Sequence, residues 1–468
     1  MFLDLLDKIF DFLKAFFSKP EVIIFVGFLI IALVVALPSL HLWDSFRRFL
    51  YATWWLWTFI ISYKAFESLW LFWRQELYQH SSEFKMIMLE IRMPREVLKS
   101  PQGMEHVLNS IAALRNVQSD PEEKYRDGEI TRRYSLEMVS FGGEIHFYVR
   151  CYFKQRNLIE AAFFAYYPDL EIVEVEDYAE KLPKTMQELY DAGKDLWGTE
   201  MVLAREAAYP IKTYAQFFEA GKEEEAQLFD PISTFLEVLG KLHPEQFVGI
   251  QIILAPADRE WYKAWEKLLI DLKEASRRKV EGLEGVIKEI ARTRTPGETD
   301  VLREVERNLS KPAFETLIRF IYISPKELYY DSYPRRGVSG AFNQYGSADL
   351  NLFKQNYAVA TRVRIWHKPY FFPNKRAEYR KQRILYNYRI RKTPPETFMG
   401  KLITSYPLNS AFTPEQSMLT TEAIATLFHP PTTRVLTAPH VVRVESHKAG
   451  PPAGLSIFGE EKEIEQYK

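Results

Sequence analysis

Cysteine is almost absent from this chain. The single thiol, Cys151, excludes any intrachain disulfide among the 468 residues and fits a reducing compartment. Net charge is almost absent too. With 61 Lys and Arg against 62 Asp and Glu, the formal charge is -1. No global field therefore draws the chain to nucleic acid or acidic lipid, and such binding needs a local patch. The signatures of common chemistries are missing as well. Lys follows Gly at Lys194, Lys222, Lys241 and Lys401, but none has Ser or Thr next or a second Gly five positions before its own. Without that spacing no backbone loop cradles phosphates. The nine histidines are scattered, with no His-Glu-x-x-His and no Cys partner set, and no Gly-x-Ser-x-Gly elbow appears. No catalytic residue, metal or cofactor is assigned, and the chain reads as non-enzymatic.

What is present starts with apolar sequence. The chain is 47% hydrophobic and 26% charged, enough for real cores and for two or three domains. Residues 1–80 read as a membrane anchor. Met1 to Ser18 has the spacing of an amphipathic helix, either lying in a membrane interface or packed on later domains. Val22 to Leu40, including Val22, Ile23, Phe25, Leu29 and Leu33, carries no charge. As a helix it would reach about 28 Å, close to the hydrocarbon thickness of a bilayer. Phe49 to Trp73 is apolar apart from Lys64 and Glu67, and Trp54, Trp55, Trp57, Trp70 and Trp73 suit a headgroup boundary. It is either a second span or a long interfacial helix, and the span is the preferred reading. Lys and Arg on both flanks favour a hairpin with both ends in the cytoplasm. The expected location is integral in the cytoplasmic (inner) membrane, with the soluble domains in the cytoplasm.

The period then changes. Residues 81–182 read strand, helix, strand, strand, helix, strand, with Gly142-Gly143 as the hairpin turn between the two middle strands. That order is the split βαβ, ferredoxin-like arrangement, an antiparallel sheet covered on one face by two helices. Residues 183–442 repeat the mixture of strands and helices. They are interrupted at about 258–309 by a charged segment that reads as a helical hairpin. The fold class expected is α+β: an N-terminal transmembrane helix or hairpin, then two ferredoxin-like sandwich domains, the second with a long helical insertion. Residues 443–468 form a Pro/Gly-containing linker and tail.

One local patch stands out in Asn374 to Lys392. Lys375, Arg376, Arg380, Lys381, Arg383, Arg389 and Arg391 are interleaved with Tyr379, Tyr386 and Tyr388. Cations with aromatics suit nucleic acid, with phosphates on the cations and bases on the rings. They equally suit anionic lipid or an acidic partner, and a solvated helix face is the plain alternative.

Several longer stretches resemble a known bacterial family. They are "MLEIRMPREVLKSPQGMEHVL", "YSLEMVSFGGEIHFYVR", "AAFFAYYPDLEIVEVEDY", "DPISTFLEVLGKLHPEQFVGIQIIL", "MLTTEAIATLFHPP" and "VESHKAGPPAGL". In order, they resemble the non-catalytic N-terminal half of membrane-anchored HerA/FtsK-type ATPases, which are similar to the motors of conjugative type IV secretion. The resemblance runs from about Phe72 to Gly454. In that family the Pro-rich connector leads to the ATPase, whereas here the sequence ends at Lys468. The resemblance therefore implies a component that docks or organises a separate P-loop ATPase. A homo-oligomeric ring or cage and a nucleic-acid handling protein are the alternatives. Membrane, ATPase or self-association, and nucleic acid are the partners to be weighed.

Overall fold

The computed structural model describes residues 42–444 apart from 82–83, 95–99, 117, 119, 220–229, 275–276, 282–286, 292–293, 330–332, 365, 367–369, 371, 405–413 and 432–442. It opens on a long helix, α1 (Leu42–Gln79). Then come β1 (Met86–Pro94), α2 (Gln102–Ala113), β2 (Tyr134–Phe141), β3 (Glu144–Tyr152), α3 (Arg156–Tyr166) and β4 (Glu171–Val175). A short α4 (Met186–Asp191) leads to β5 (Lys194–Leu203), α5 (Tyr214–Glu219), α6 (Ser233–Gly240) and β6 (Phe247–Pro256). An insertion holds α7 (Glu266–Glu274), β7 (Arg277–Glu281), β8 (Ile287–Ala291) and α8 (Pro296–Leu309). Next are β9 (Ala313–Pro325), α9 (Tyr333–Asn343) and β10 (Phe353–Gln355). The described chain ends with α10 (Pro373–Ile390), α11 (Phe398–Thr404), β11 (Ser417–Thr420), α12 (Thr421–Leu427) and β12 (Arg443–Val444). The chain divides into two compact units between Trp70 and Leu71.

In the second unit ten of the twelve described strands form one sheet, and β7 and β8 pair apart from it. Strands β4, β1, β3 and β2 lie side by side, all antiparallel. Strands β10, β5, β9 and β6 repeat the same order, fourth strand outermost and second strand innermost. The two sets join because β2 pairs with β6 along its whole length, from Tyr134 opposite Leu254 to Phe141 opposite Phe247. Strand β11 adds to the start of β9, and β12 lies parallel to the end of β1. The central strands explain this continuity. β6 is buried at every residue and β2 at all but Phe141, so neither could serve as an exposed edge.

Alternation along each strand gives the sheet two faces. One is aliphatic and aromatic. Leu136, Met138, Ile250, Ile252 and Phe320 pack under α2, α3, α6, α9 and α12 through Val107, Phe163, Phe235, Phe342 and Ile424. The opposite face is covered by α10 and α4, where Ile384, Leu385, Tyr388 and Leu189 meet Val139, Tyr148, Ile321 and Ile323. The sheet is thus covered on both faces rather than one.

Three expectations are corrected. Among the described residues no helix is long and apolar enough to cross a membrane. Phe49 to Trp73 lies inside α1, where Arg47, Arg48, Lys64, Glu67 and Arg74 recur and much of the remainder is Trp, Tyr, Thr and Ser rather than aliphatic. Lys64 and Glu67 pair at 3.2 Å within it. The second span, and with it the reading of an integral inner-membrane protein, is withdrawn. Val22, Ile23, Phe25, Leu29 and Leu33 lie outside the described residues. The insertion also differs. It is not a helical hairpin, because β7 and β8 pair as a two-stranded ribbon between α7 and α8. Gly282 and Gly285 stand between them, and glycine is a poor helix interior residue.

Candidate functional site

The face under α10 carries a row of polar side chains. Strand register aligns Glu90 with Tyr148, Tyr148 with Glu137, Glu137 with Gln251, Gln251 with Arg319, and Arg319 with Glu200. Six adjacent strands each give one polar residue to this line, and all six are buried. Burial of such groups is costly unless they are hydrogen-bonded. Glu137 Oε1 accepts from Ser135 Oγ at 2.6 Å and from Arg391 Nε at 2.9 Å. Its Oε2 accepts from Arg391 Nη2 at 3.1 Å and from the Tyr178 hydroxyl. Arg319 donates from Nε and Nη2 to Glu200 Oε1 at 3.0 and 2.7 Å. Glu90 Oε1 lies 2.7 Å from His146 Nδ1, and its Oε2 accepts from Arg92 at 2.9 Å.

The row also ends α10. The last carbonyls of a helix lack partners within it. Here Gln251 Nε2 donates to the Tyr388 carbonyl at 3.1 Å. Arg319 donates to the carbonyls of Asn387 and Lys392 at 2.9 and 3.0 Å. Arg391 follows in the left-handed region at φ 54°, with Lys392 N–H bonded back to the Asn387 carbonyl at 2.9 Å. A non-glycine residue there is strained, and the clamp on its side chain offsets the cost. Arg391 Nη1 reaches Asp177 Oδ2 at 2.5 Å and Nη2 reaches Oδ1 at 2.8 Å, besides its two bonds to Glu137.

Charge follows from this geometry. Burial pushes the Glu137 carboxyl up, but the Arg391 guanidinium and three hydrogen-bond donors outweigh it and hold it below the usual carboxylate range. Burial opposes the charge on Arg391, yet Glu137 and Asp177 leave it more firmly protonated than usual. Burial keeps the Tyr178 and Tyr388 hydroxyls neutral, their oxygens 2.7 Å apart. Glu200 is raised by burial against the pull of Arg319, and its Oε2 has no hydrogen-bond partner.

Beside the row opens a cavity of about 480 Å³. Its walls are the last turns of α1 from Phe72 to His80, the entry to β2, the turn at Asp177 to Glu180, and residues 386–396. Its cations are Arg133, Arg150, Arg389, Arg391 and Lys392; its acids are Glu76, Asp177, Glu180 and Glu396. Lys392 pairs with Glu76 at 3.0 Å and Arg133 with Glu396 at 3.2 Å. Arg150 has only Asp177, at 4.0 Å, and that carboxylate is already held by Arg391. Phe72, Phe84, Tyr134, Ile253, Tyr386 and Ile390 supply apolar and aromatic wall.

The basic segment lands mostly inside the molecule. Arg376, Arg380 and Arg391 are buried and Lys381, Arg383 and Arg389 half-buried, whereas Lys375 is exposed beside the Phe372 ring. Arg380 donates to the carbonyls of Tyr357 and Ala360 at 2.9 and 3.0 Å. Lys381 donates to Asp195 at 2.8 Å and Arg389 to the Ala179 carbonyl at 3.2 Å. Gly142 and Gly143 join β2 to β3 at φ 59° and 100°. A Cβ on Gly142 would meet the Pro244 carbonyl oxygen at 2.5 Å, so the turn requires glycine there. Trp54, Trp55 and Trp57 are at least half exposed, Trp73 nearly so, and Trp70 less. Cys151 is buried, which pushes its thiol up to about 12. Among the described residues no group of His, Cys, Asp or Glu could hold a metal ion.

Glu90, Glu137, Glu200, Gln251, Arg319 and Asp177 were not read from sequence as functional. Part of the signal was there, since Gln251 is the single polar residue of β6 and Glu137 the single charge of β2. A comparison with curated proteins finds no match. A family model described as "Domain of unknown function (DUF8128)" matches residues 74–369. That match takes in β1 to β10, both four-strand sets and the polar row that joins them. It also covers well over half of the sequence, and the chain therefore belongs to the DUF8128 family.

Proposed function

We propose that this chain is a non-enzymatic assembly component that docks or organises a partner. The resemblance in its sequence motifs supports a HerA/FtsK-type translocation ATPase as the partner class. One observation carries the docking role. In α1, Trp54, Trp55, Trp57, Phe59, Ile61 and Phe66 are each at least half exposed. Large apolar side chains exposed in this number mark an interaction site on most proteins. Aromatic side chains also give large contact area for little lost conformational freedom. The non-enzymatic reading has its own support. Several buried charged groups of the second unit are matched to one another, Glu137 to Arg391, Arg319 to Glu200 and Glu105 to the half-buried Lys311, as structural clamps are. The basic segment, spent largely on internal partners, gives the nucleic-acid reading little to rest on.

The test is co-purification of the full chain from native extract, with bound proteins identified by mass spectrometry. It is repeated with Trp54, Trp55 and Trp57 changed to Ser. The expected result is a P-loop ATPase bound to the unaltered chain and lost from the triple variant, with the thermal unfolding of the variant unchanged. A homomeric particle that needs the same tryptophans supports the scaffold instead. ATP turnover by the isolated chain, or an ATPase that stays bound to the triple variant, overturns the proposal.

A further inference from the structure

The wall of the cavity beside the polar row carries five cations against four carboxylates. Glu76 and Glu396 are taken by Lys392 and Arg133. Asp177 holds Arg391 at 2.5 and 2.8 Å and also accepts the Ala179 N–H at 2.9 Å. That leaves two guanidinium groups and the exposed Glu180 on the cavity wall. Among the described residues, Arg150 has no carboxylate nearer than Asp177 at 4.0 Å, and Arg389 makes one hydrogen bond, from Nε to the Ala179 carbonyl. Both are half-buried, where unmatched charge is expensive.

We propose that this cavity is a binding site for a small phosphate monoester with an aromatic or apolar body. These two weakly paired guanidinium groups match a phosphate, which carries about -1.5 to -2 charge at neutral pH and offers three acceptor oxygens. A single carboxylate would answer only one of them. The rest of the wall fits the body of such a ligand, since Phe72, Tyr134, Tyr386 and Ile390 line the same space. The volume of about 480 Å³ lies within the range of small-molecule sites. Residues that line the cavity also set its closure. Lys392 and Glu76 tie the last turns of α1 to the segment after α10. A ligand bound here therefore steadies residues 386–396 and the end of α1 together.

The experiment is calorimetric titration of the full chain with phenyl phosphate, inorganic phosphate and benzoate. It is repeated on Arg150→Gln and Arg389→Gln, whose folding is checked by circular dichroism. Phenyl phosphate should bind most tightly, inorganic phosphate more weakly for want of the body, and benzoate weakest. Each substitution should weaken phenyl phosphate by about tenfold to a hundredfold, the worth of a charge-assisted hydrogen bond. A measurement on the unaltered chain guards against misfolded variants: phenyl phosphate should slow amide exchange within residues 386–396. No binding of either phosphate overturns the site. Equal binding by the chain and its two variants also overturns it, as does benzoate binding as tightly as phenyl phosphate.

Discussion

The two faces of the central sheet solve the same problem in opposite ways. Under α2, α3, α6, α9 and α12 the sheet offers aliphatic and aromatic side chains. That attraction is non-directional and scales with area, so it holds helices down without fixing where each must end. Under α10 the same strands offer Glu137, Gln251, Arg319 and Glu200 in one register row, each bonded to a named atom. Directional partners fix the last turn of α10 over the β2–β6 joint. The difference suggests that the polar face specifies position and the apolar face supplies most of the cohesion. A buried ion pair is weak evidence for stability, and its best-attested use is to select one arrangement over others.

Breaking the clamp should give the largest effect. Glu137→Ala leaves Arg391 buried with one carboxylate fewer, and removing one partner of a buried pair costs about 3–5 kcal/mol. Replacing both, as Glu137→Leu with Arg391→Met, should cost less than Glu137→Ala alone. Urea unfolding of both variants checks this. A double variant as unstable as Glu137→Ala would show that the pair adds cohesion rather than position.

Neighbouring residues of β6 sharpen the comparison, because Gly249 and Ile250 point to opposite faces. A Cβ on Gly249 would lie 1.8 Å from the Tyr388 hydroxyl oxygen, itself 2.7 Å from that of Tyr178. Gly249→Ala must push Tyr388 out of the network, at about 1–3 kcal/mol for an overpacked site. It should also raise amide exchange at the end of α10. Ile250 packs in the apolar core with no hydrogen bond to lose. Ile250→Val should cost about 0.5–1.5 kcal/mol and leave exchange at α10 unchanged. If both substitutions loosen α10 equally, the two faces do not divide the work.

The same contrast explains what could be read from sequence. The order of strands and helices through Val175 was legible, because hydrophobic period and the Gly142-Gly143 turn are local signals. The joint between β2 and β6 was not, because a run buried on both faces tells nothing of which strand it meets. The role of the basic segment was hidden for a related reason. Arg391 and Glu137 are 254 positions apart, and composition shows a cation without its partner. The lone charges inside "YSLEMVSF", "GTEMVL" and "LIRFIYIS" were the available clue, since a single charge in an apolar strand must be matched across the sheet. The aromatic run of α1 misled, because Trp and Tyr recur in membrane boundaries and on docking surfaces alike.

Acid should separate the two faces with the gentlest perturbation, one with no expected effect at neutral pH. The carboxyls of Glu137 and Glu90 both lie below the usual range when folded. Glu137 is held there by Arg391 against the effect of burial, and Glu90 chiefly by its hydrogen bond with His146. The unfolded chain returns them to about 4.3. Between the folded and unfolded values the unfolded chain binds more protons, so stability rises with pH there. The contribution is complete above the unfolded value and is lost as pH falls through the folded one. The urea midpoint should therefore stay flat from pH 7 to about pH 5 with respect to these two groups and fall below about pH 4. Glu137→Gln removes one of the two titrations, so its acid limb should be shallower even though the variant is less stable throughout. Ile250→Val should keep the full acid limb, shifted down in parallel. An acid limb in Glu137→Gln as steep as in the unaltered chain would place the sensitivity elsewhere, and the polar row would not be what acid releases.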